Sequence, residues 1–241
     1  MPSRRSKSAR RLGVAGALAA IPGVLAAAAP REAETGTRIP TPKPVTIPDR
    51  TGLSDADRAR IALVAFGECA VARSPKLARQ LVTTHADDPA AEKLLVSMAT
   101  PDCLREGEMR MSSMLMRGAV FVGLYRSAYG RAQPALPADP TNFQDEVGNV
   151  AEVAARQHII LREFGDCVVR AAPEQSRALL LAAPTGKAEQ SAFGAIIPKL
   201  GPCLVEGNNV TFSKITLTGV IGEALFRLAS RSSAASARSA G

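Results

Sequence analysis

The sequence predicts a mainly α-helical protein built by tandem duplication of a small disulfide-closed unit. The stretch from Ile61 to Thr83 returns 98 residues later as Ile159 to Leu181, with nine of 23 positions identical. Each copy also contains two cysteines at matching places, and its apolar residues recur at helical spacing. A self-match at a fixed offset indicates a repeated structural unit, so it decides the architecture.

The self-match continues to the end of the unit. Cys103-Leu104-Arg105-Glu106-Gly107 returns as Cys203-Leu204-Val205-Glu206-Gly207, and Gly118 and Leu124-Tyr125-Arg126 return as Gly219 and Leu225-Phe226-Arg227. The offset grows from 98 to 101 along the unit, so small insertions fall in its loops. We therefore predict helical repeat 1 over residues 54–129, an inter-repeat linker over residues 130–151 and helical repeat 2 over residues 152–229.

Residues 1–28 have the pattern of a secretory signal peptide. They carry five basic residues and no acidic one, and an apolar, Ala-rich run from Leu12 to Ala29 fits cleavage after Ala28. The alternative is an uncleaved anchor, because a run of 18 residues is near the lower limit for a membrane span. Pro22 and Gly23 weaken that alternative. We expect export to the periplasm or extracellular space of a bacterium, by a Sec or twin-arginine route, with no stable membrane span after cleavage.

The charge of the chain excludes a nucleic-acid partner. The net charge is +8, but subtracting the five basic residues of the signal peptide leaves +3. Trp is absent, aromatic residues make up 4% of the chain, and no basic run is interleaved with aromatic residues. Proteins that bind nucleic acid through stacking and phosphate contacts need aromatic side chains for the bases and clustered basic side chains for the phosphates.

Residues 29–53 and 230–241 are expected to lie outside the helical repeats. The first segment alternates proline with other residues, which favours extended polyproline geometry and a spacer role. A ligand for a proline-recognising domain is the alternative. The second segment consists of Ser, Ala, Arg and Gly without an apolar pattern, so we expect a disordered tail.

Within the repeats, helix signals occur at Ser54, Ser74-Pro75 and Asp88-Pro89, which predict helices near 55–72, 75–84 and 89–99. The apolar phase predicts one buried face in the first helix of each repeat; it comprises Ala62, Phe66, Cys69 and Ala70, and Ile160, Phe164, Cys167 and Val168. A glycine in mid-helix recurs as Gly67 and Gly165, so we expect another backbone to approach there.

The alternating segments Met109–Ser112 and Val210–Ser213 predict two short strands. They would pair as a two-stranded ribbon that joins the repeats about a pseudo-twofold axis, and irregular loops are the alternative. Apolar stripes then predict the last helix of each repeat. They comprise Met116, Val120, Gly123, Leu124 and Ser127, and Leu217, Ile221, Ala224, Leu225 and Leu228.

Four cysteines allow three disulfide pairings. Self-contained repeats require Cys69–Cys103 and Cys167–Cys203, whereas a bond such as Cys69–Cys167 would join the repeats across the pseudo-axis. By loop entropy each bond within a repeat contributes about 3–4 kcal/mol.

Motifs for catalysis, metals and cofactors are absent from the sequence. There is no Gly-x-Ser-x-Gly elbow, phosphate loop, His-Glu-x-x-His or Cys-x-x-Cys. His85 and His158 lack further ligands at metal spacing, so we expect both to be surface residues. We predict no cofactor and no metal.

Recurring acids leave one enzymatic alternative. Glu68 and Asp166 occupy equivalent positions, as do Glu106 and Glu206, and a shared cleft within about 10 Å would suit general acid–base work. Arg79 and Arg177 also recur and could pair with Glu68 and Asp166 inside each repeat. Because a single active site needs only one copy, recurrence favours a structural role.

A cluster of methionines, Met109, Met111, Met114 and Met116, is typical of either a copper site or an adaptable core. The second repeat has Val210, Phe212, Ile215 and Leu217 there, which favours core.

We therefore predict a non-enzymatic binding or structural module in the periplasm or extracellular space, with a protein or cell-envelope component as partner. The alternative is a periplasmic hydrolase with acids from both repeats, and a weaker one is a methionine-based copper binder. A binding module should present an exposed apolar groove or patch.

Overall fold

The computed structural model of this chain describes residues 52–85, 88–104, 111–132, 134–147, 152–204 and 212–239. Every regular element in these ranges is helical, which confirms the mainly α-helical class. The predicted signal peptide and residues 29–51 of the predicted proline-rich linker lie outside the described residues.

Helices of the first half follow the predicted order. They are α1 (Asp55–Arg73), α2 (Pro75–Val82), α3 (Pro89–Met98), α4 (Pro101–Leu104) and α5 (Ser113–Tyr129). The Ser54 hydroxyl caps α1 by accepting a hydrogen bond from the Asp57 amide at 3.1 Å, and the Asp88 carboxylate caps α3 in the same way through the Ala90 amide at 2.7 Å. Side-chain oxygens at these positions satisfy amides that have no partner inside the helix.

The second half has a matching series of elements. They are α6 (Glu152–Ala171), α7 (Pro173–Leu181), α8 (Lys187–Leu200), a 3₁₀ turn (Gly201–Cys203) and α9 (Lys214–Ser239). Between the halves, the linker contains a second 3₁₀ turn, Gln144–Glu146, between two buried side chains, Phe143 and Val147. Residues 148–151 of that linker lie outside the described residues.

Both disulfides join the pairs expected of self-contained repeats. Cys69 is bonded to Cys103, and Cys167 is bonded to Cys203, with Cα–Cα distances of 5.4 and 5.7 Å. The rival bond Cys69–Cys167 is therefore not formed. Each bond ties the first helix of its half to the segment that follows the third helix, and this arrangement closes the unit.

The buried face predicted for α1 and α6 is confirmed at Phe66, Ala70, Phe164 and Val168, but it is wrong at its first position in each helix. Ala62 is exposed and Ile160 is 39% exposed, although both were expected on the buried face. The buried stripe of α1 consists instead of Leu63, Phe66, Gly67, Ala70 and Val71. It is centred on Gly67 because that residue has no side chain and lets α5 pack directly against the α1 backbone.

Glycines set the closest helix contacts in the described part of the chain. A Cβ atom placed on Gly67 would lie 2.0 Å from the carbonyl oxygen of Ala119, so the expected second backbone is that of α5. A Cβ atom on Gly118 would lie 2.7 Å from the Cα atom of Gly219, where α5 crosses α9. At Gly165 the approach is looser, with the Val220 carbonyl oxygen at 3.2 Å.

Two buried apolar clusters lie on either side of α5. The first joins α1, α2 and α3 to one face of α5 around Phe66, Leu81 and Phe121. The second joins α6 to α9 around Phe193 and Ile221, and α5 contributes Val122 and Tyr125 to it. The helix α5 is consequently buried along most of its length, between the two halves.

The described residues of the two predicted strands, 111–112 and 212–213, do not form strands. Residues 109, 110, 210 and 211 lie outside the described residues. Ser112 caps α5 by accepting from the Leu115 amide at 3.4 Å, and the Ser213 hydroxyl accepts from the Thr216 amide at 3.2 Å. Each serine side chain accepts a hydrogen bond from a free amide in the first turn of the following helix, so each predicted strand segment ends as a helix N-cap.

The expectation of a disordered tail is wrong as far as Ser239, because α9 continues to that residue. Residues 230–239 contain no Gly or Pro, and Ala is the strongest helix former. The hydroxyls of Ser230 and Ser233 donate hydrogen bonds back to carbonyls one turn earlier, at 2.8 and 3.0 Å. No helix in the described part of the chain combines the length and apolar character that crossing a bilayer requires.

Candidate functional site: a buried arginine–glutamate network

A buried ion pair links α5 to α9 near their crossing. Arg117 donates from Nε and Nη2 to the two carboxylate oxygens of Glu223, at 3.0 and 2.9 Å. Its Nη2 also donates to the carbonyl of Thr84, at 2.7 Å, which closes the end of α2. The side chains of Arg117 and Glu223 are only 3% and 13% exposed. This fork-to-fork geometry is the strongest form of charged hydrogen bond.

Glu223 has a second basic partner one turn along α9. Arg227 donates from Nε to Glu223 Oε1 at 2.9 Å, and the guanidinium groups of Arg117 and Arg227 both lie over the ring of Phe121. Burial raises the pKa of Glu223, but the charges of Arg117 and Arg227 outweigh burial and lower it below the ordinary range. The carboxylate is therefore ionised at any neutral pH.

A second acidic centre comes from the linker. Glu146, in the 3₁₀ turn, accepts from Arg162 at 3.0 and 3.2 Å and lies 3.1 Å from Nε2 of His158. Burial raises the pKa of Glu146, but the hydrogen bonds of His158 and Arg162 outweigh it and lower the pKa to about 2. Arg162 and His158 belong to α6, so Glu146 fastens the linker to the second half.

The expectation that both histidines are surface residues is wrong for His158. Its residue surface is 4% exposed, because the ring is enclosed with Glu146 and lies 6.1 Å from the ring of His85, edge to face. His85 is half-buried. Among the described residues, no group of three or more His, Cys, Asp or Glu side chains could hold a metal ion.

A third buried pair joins α1 to α8. Arg60 binds Glu189, and the side chains of these residues are 9% and 7% exposed. Glu189 also accepts from the Thr185 amide at 2.7 Å, where Thr185 has the left-handed φ of 67°. That conformation costs energy in a β-branched residue, so the carboxylate holds a strained loop in place.

The recurring acids bind arginines other than the expected ones. Glu68 accepts from Arg126 at 2.6 Å, and Asp166 accepts from Arg170 at 2.5 Å. Arg177 instead donates to Tyr125 Oη and to the Tyr129 carbonyl, at 3.0 and 2.8 Å. The pairing expected with Arg177 is therefore wrong: this guanidinium reaches the end of α5.

Arg79 is exposed on α2, and the contacts among the described residues do not include a bond from it to Glu68. Glu68 itself is half exposed at its side chain, whereas the Asp166 side chain is 13% exposed. The two arginines that bind the recurring acids also hold loop carbonyls. Arg126 donates to Leu180 and Ala182, and Arg170 donates to Pro137 and Asp139.

A cavity of about 270 Å³ lies between α6, α9 and the linker. Its charged lining residues are Glu146, Arg162, Asp166, Arg227 and Arg231. Thr141 and Ser230 contribute hydroxyls, and Val82 and Leu228 contribute apolar walls. Glu68 is not among the lining residues, and Glu106 and Glu206 lie outside the described residues.

The methionine cluster is divided between core and surface. Met111 and Met116 are half-buried and pack against the cluster around Phe66. Met114 is 43% exposed, and Met109 lies outside the described residues.

The charged network was not predicted from the sequence, although a signal was present. Arg117 is the only charged residue from Ser113 to Tyr125, and Glu223 is the only one from Ile215 to Phe226. A lone charge inside an apolar helix is costly unless it is paired, so each of these residues requires a partner of opposite sign.

Comparison with protein-family models, curated proteins and solved structures gave no match for this chain. The capability of the network follows from its geometry. Glu146 and Glu223 each bind two basic side chains and have lowered pKa values. Both residues therefore stay negatively charged and can hold the neighbouring guanidinium groups in fixed orientations. A general acid needs the opposite shift, because it must hold a proton at neutral pH.

Proposed function

We propose that the chain is an exported, non-enzymatic binding or structural module of the periplasm or extracellular space, and that its partner is a protein or a cell-envelope component. One observation carries this proposal: the carboxylates between the two halves are committed to ion pairs. The hydrolase alternative requires Glu68 and Asp166 in a shared cleft, and it is disfavoured because Arg126 binds Glu68, Arg170 and Thr141 bind Asp166, and only Asp166 lines the cavity.

Duplication of one unit is part of the proposal, and reciprocal contacts support it. Gly118 and Gly219, which match in the sequence, meet each other where α5 crosses α9. Arg126 donates to the carbonyl of Ala182 at 2.7 Å, and its counterpart Arg227 donates to that of Thr84 at 3.4 Å. Two copies related by a twofold axis would exchange contacts in this way.

Export is supported by the cysteines. All four are paired, and structural disulfides persist in oxidising compartments such as the periplasm. The test is a non-reducing peptide map with intact mass, made on protein recovered from the exported fraction. We expect an N-terminus near Ala29 and the two bonds within the halves. Free thiols, or a chain that still begins at Met1, would contradict export.

The non-enzymatic role is tested by the stability of an Asp166→Asn variant. If Asp166 only accepts from Thr141 and from Arg170, which in turn binds the linker carbonyls, its loss lowers stability by about 1–3 kcal/mol, since a charged hydrogen bond is removed. A catalytic carboxylate gives the other result, because active-site groups are commonly kept at a cost to stability and their replacement raises the melting temperature. Thermal unfolding followed by circular dichroism separates the two outcomes.

Glu68→Gln is the matched comparison at the equivalent position of the first half. Its side chain is 51% exposed, so we expect a loss below about 1 kcal/mol. A raised melting temperature in both variants would favour the hydrolase alternative.

A further inference from the structure

A cavity of about 270 Å³ lies in the second half at the place that corresponds to an ion pair of the first half. In the first half Glu68 binds Arg126 directly, at 2.6 Å. Their counterparts in the second half, Asp166 and Arg227, both line the cavity, but each turns to a neighbour on its own helix. Asp166 binds Arg170, and Arg227 binds Glu223. Space remains where the first half has an ion pair.

Hydrogen-bond donors exceed acceptors around this cavity. Each guanidinium has five N–H donors. Within the described residues, the Nη1 groups of Arg162 and Arg227 have no hydrogen-bond partner, and Arg231 uses only Nη1, on the Thr141 hydroxyl. The carboxylates already have partners: Arg162 and His158 bind Glu146, and Arg170 and Thr141 bind Asp166.

We propose that the cavity binds a small oxyanion, a molecule that carries a phosphate or carboxylate group, through Arg162, Arg227 and Arg231. Guanidinium groups match both oxyanions because two parallel N–H groups reach two oxygens. The volume is close to the lower limit for small-molecule sites, roughly 300 Å³, so the occupant is small. The inference deepens the proposed function and rests on it, since it assigns binding without chemistry.

Two of the three guanidinium groups are held before any ligand arrives. Glu146 binds Arg162 with two hydrogen bonds while the ring of Phe143 lies 5.2 Å from the guanidinium carbon. Arg227 is held in a similar way: its Nε donates to Glu223 Oε1 at 2.9 Å, and its guanidinium carbon lies 5.2 Å from the centre of the Phe121 ring. Groups held in advance lose little entropy on binding, which favours affinity. Arg231 is exposed and lies at the solvent side of the cavity.

The test is calorimetric titration of the oxidised full chain with inorganic phosphate and, separately, with acetate, at constant ionic strength set by chloride. We expect saturable binding of one probe at one site per chain, and the probe that binds identifies the oxyanion. Loss of a charged hydrogen bond in Arg231→Gln should weaken binding about tenfold. Lys199→Gln is the control, because it removes a positive charge from an exposed site on α8, a helix that contributes no residue to the cavity lining. Its affinity should stay within about twofold of that of the unaltered chain, since an exposed charge outside the cavity is screened by salt.

A second variant should strengthen oxyanion binding where Arg231→Gln weakens it. Asp166→Asn removes a negative charge from the cavity lining, so an oxyanion should bind several-fold more tightly. The proposal is overturned if neither probe saturates, if Lys199→Gln weakens binding as much as Arg231→Gln, or if Asp166→Asn weakens it. None of these outcomes affects the peptide map or the stability test, so failure of the oxyanion site is distinguishable from failure of the proposed function.

Discussion

Replacing Glu223 by Gln should destabilise the protein more than any other loss of a single charge in α9. The change leaves the Arg117 guanidinium, 3% exposed, without an anion in the crossing of α5 and α9. The amide of Gln keeps the shape but accepts only through one oxygen, so one hydrogen bond of the fork is lost and the charge of Arg117 is uncompensated.

The expected cost is about 3–5 kcal/mol, the range measured when one partner of a buried ion pair is removed. Whole domains are stable by only about 5–15 kcal/mol, so the loss is a large share of the total. Chemical denaturation in guanidinium chloride, with the disulfides intact and circular dichroism as the signal, measures it. The denaturant concentration at the midpoint should fall, while the dependence of the free energy of unfolding on denaturant concentration stays unchanged.

The matched comparison is Glu68→Gln, which removes an exposed partner of Arg126 and should cost less than about 1 kcal/mol. Combining Glu223→Leu with Arg117→Met should restore part of the stability lost in either single variant, because both charges of this pair are then absent and only Arg227, 16% exposed, loses its carboxylate. Equal losses for Glu223→Gln and Glu68→Gln, or a double variant as unstable as the sum of its singles, would refute the reasoning.

Gly67→Ala should cost about 1–3 kcal/mol in denaturant titrations, because the new Cβ would meet a carbonyl oxygen of α5 at 2.0 Å; Gly194→Ala in α8, where a Cβ meets nothing within 4 Å, should instead gain up to about 1 kcal/mol. Glu146, with its pKa lowered from 4.5 to about 2, contributes stability that is present above about pH 4.5 and lost as the pH falls towards 2. The free energy of unfolding, measured by denaturant titration from pH 6 down to pH 2, should therefore fall by at most about 3 kcal/mol after solvent screening. Glu146→Gln should flatten this pH dependence, and an unchanged dependence in that variant would exclude Glu146 as its source. Replacing both Cys167 and Cys203 by Ala should cost about 3–4 kcal/mol for a bond across 36 residues of sequence, and a melting temperature equal to that of the unaltered chain would show that the bond does not stabilise the second half.

The order of helices could be predicted from local sequence because its determinants are local. Proline after a serine or an aspartate is a common signal for a helix start. Pro75 and Pro89 both begin helices, whereas Asp139-Pro140 in the linker begins none. The disulfide pairs were predicted on the condition that each repeat is self-contained, because Cys69 and Cys167 occupy matching positions, and Cys69–Cys167 was the rival bond.

The full width of the buried face of α1 was not predictable from its apolar pattern. Phe66 is buried as expected, but the width of the buried stripe depends on how closely α5 approaches Gly67, which is a property of the packed pair. The tail was misjudged for a related reason. Residues beyond Ser230 lack an apolar stripe, yet α9 continues because the preceding turns already provide a helical template.

The candidate site could be predicted only in outline. Arg117 and Glu223 are 106 residues apart in sequence, and nothing local identifies either as the partner of the other. The recurring acids could be identified, but their arginine partners could not. Glu68 reaches Arg126 on a helix that begins 45 residues later, so the choice between Arg79 and Arg126 depends on tertiary packing.

The position of α5 between two apolar clusters has a consequence for how the protein unfolds. Its Phe121 belongs to one cluster and its Tyr125, one turn away, belongs to the other. Because the same helix contributes side chains to both clusters, unfolding of either cluster removes packing contacts from the other. The two halves should therefore lose structure in a single cooperative transition, and a chain cut after α5 would leave an apolar helix face without a cover. The smallest fragment that can fold alone thus includes α5 together with both of its neighbouring layers.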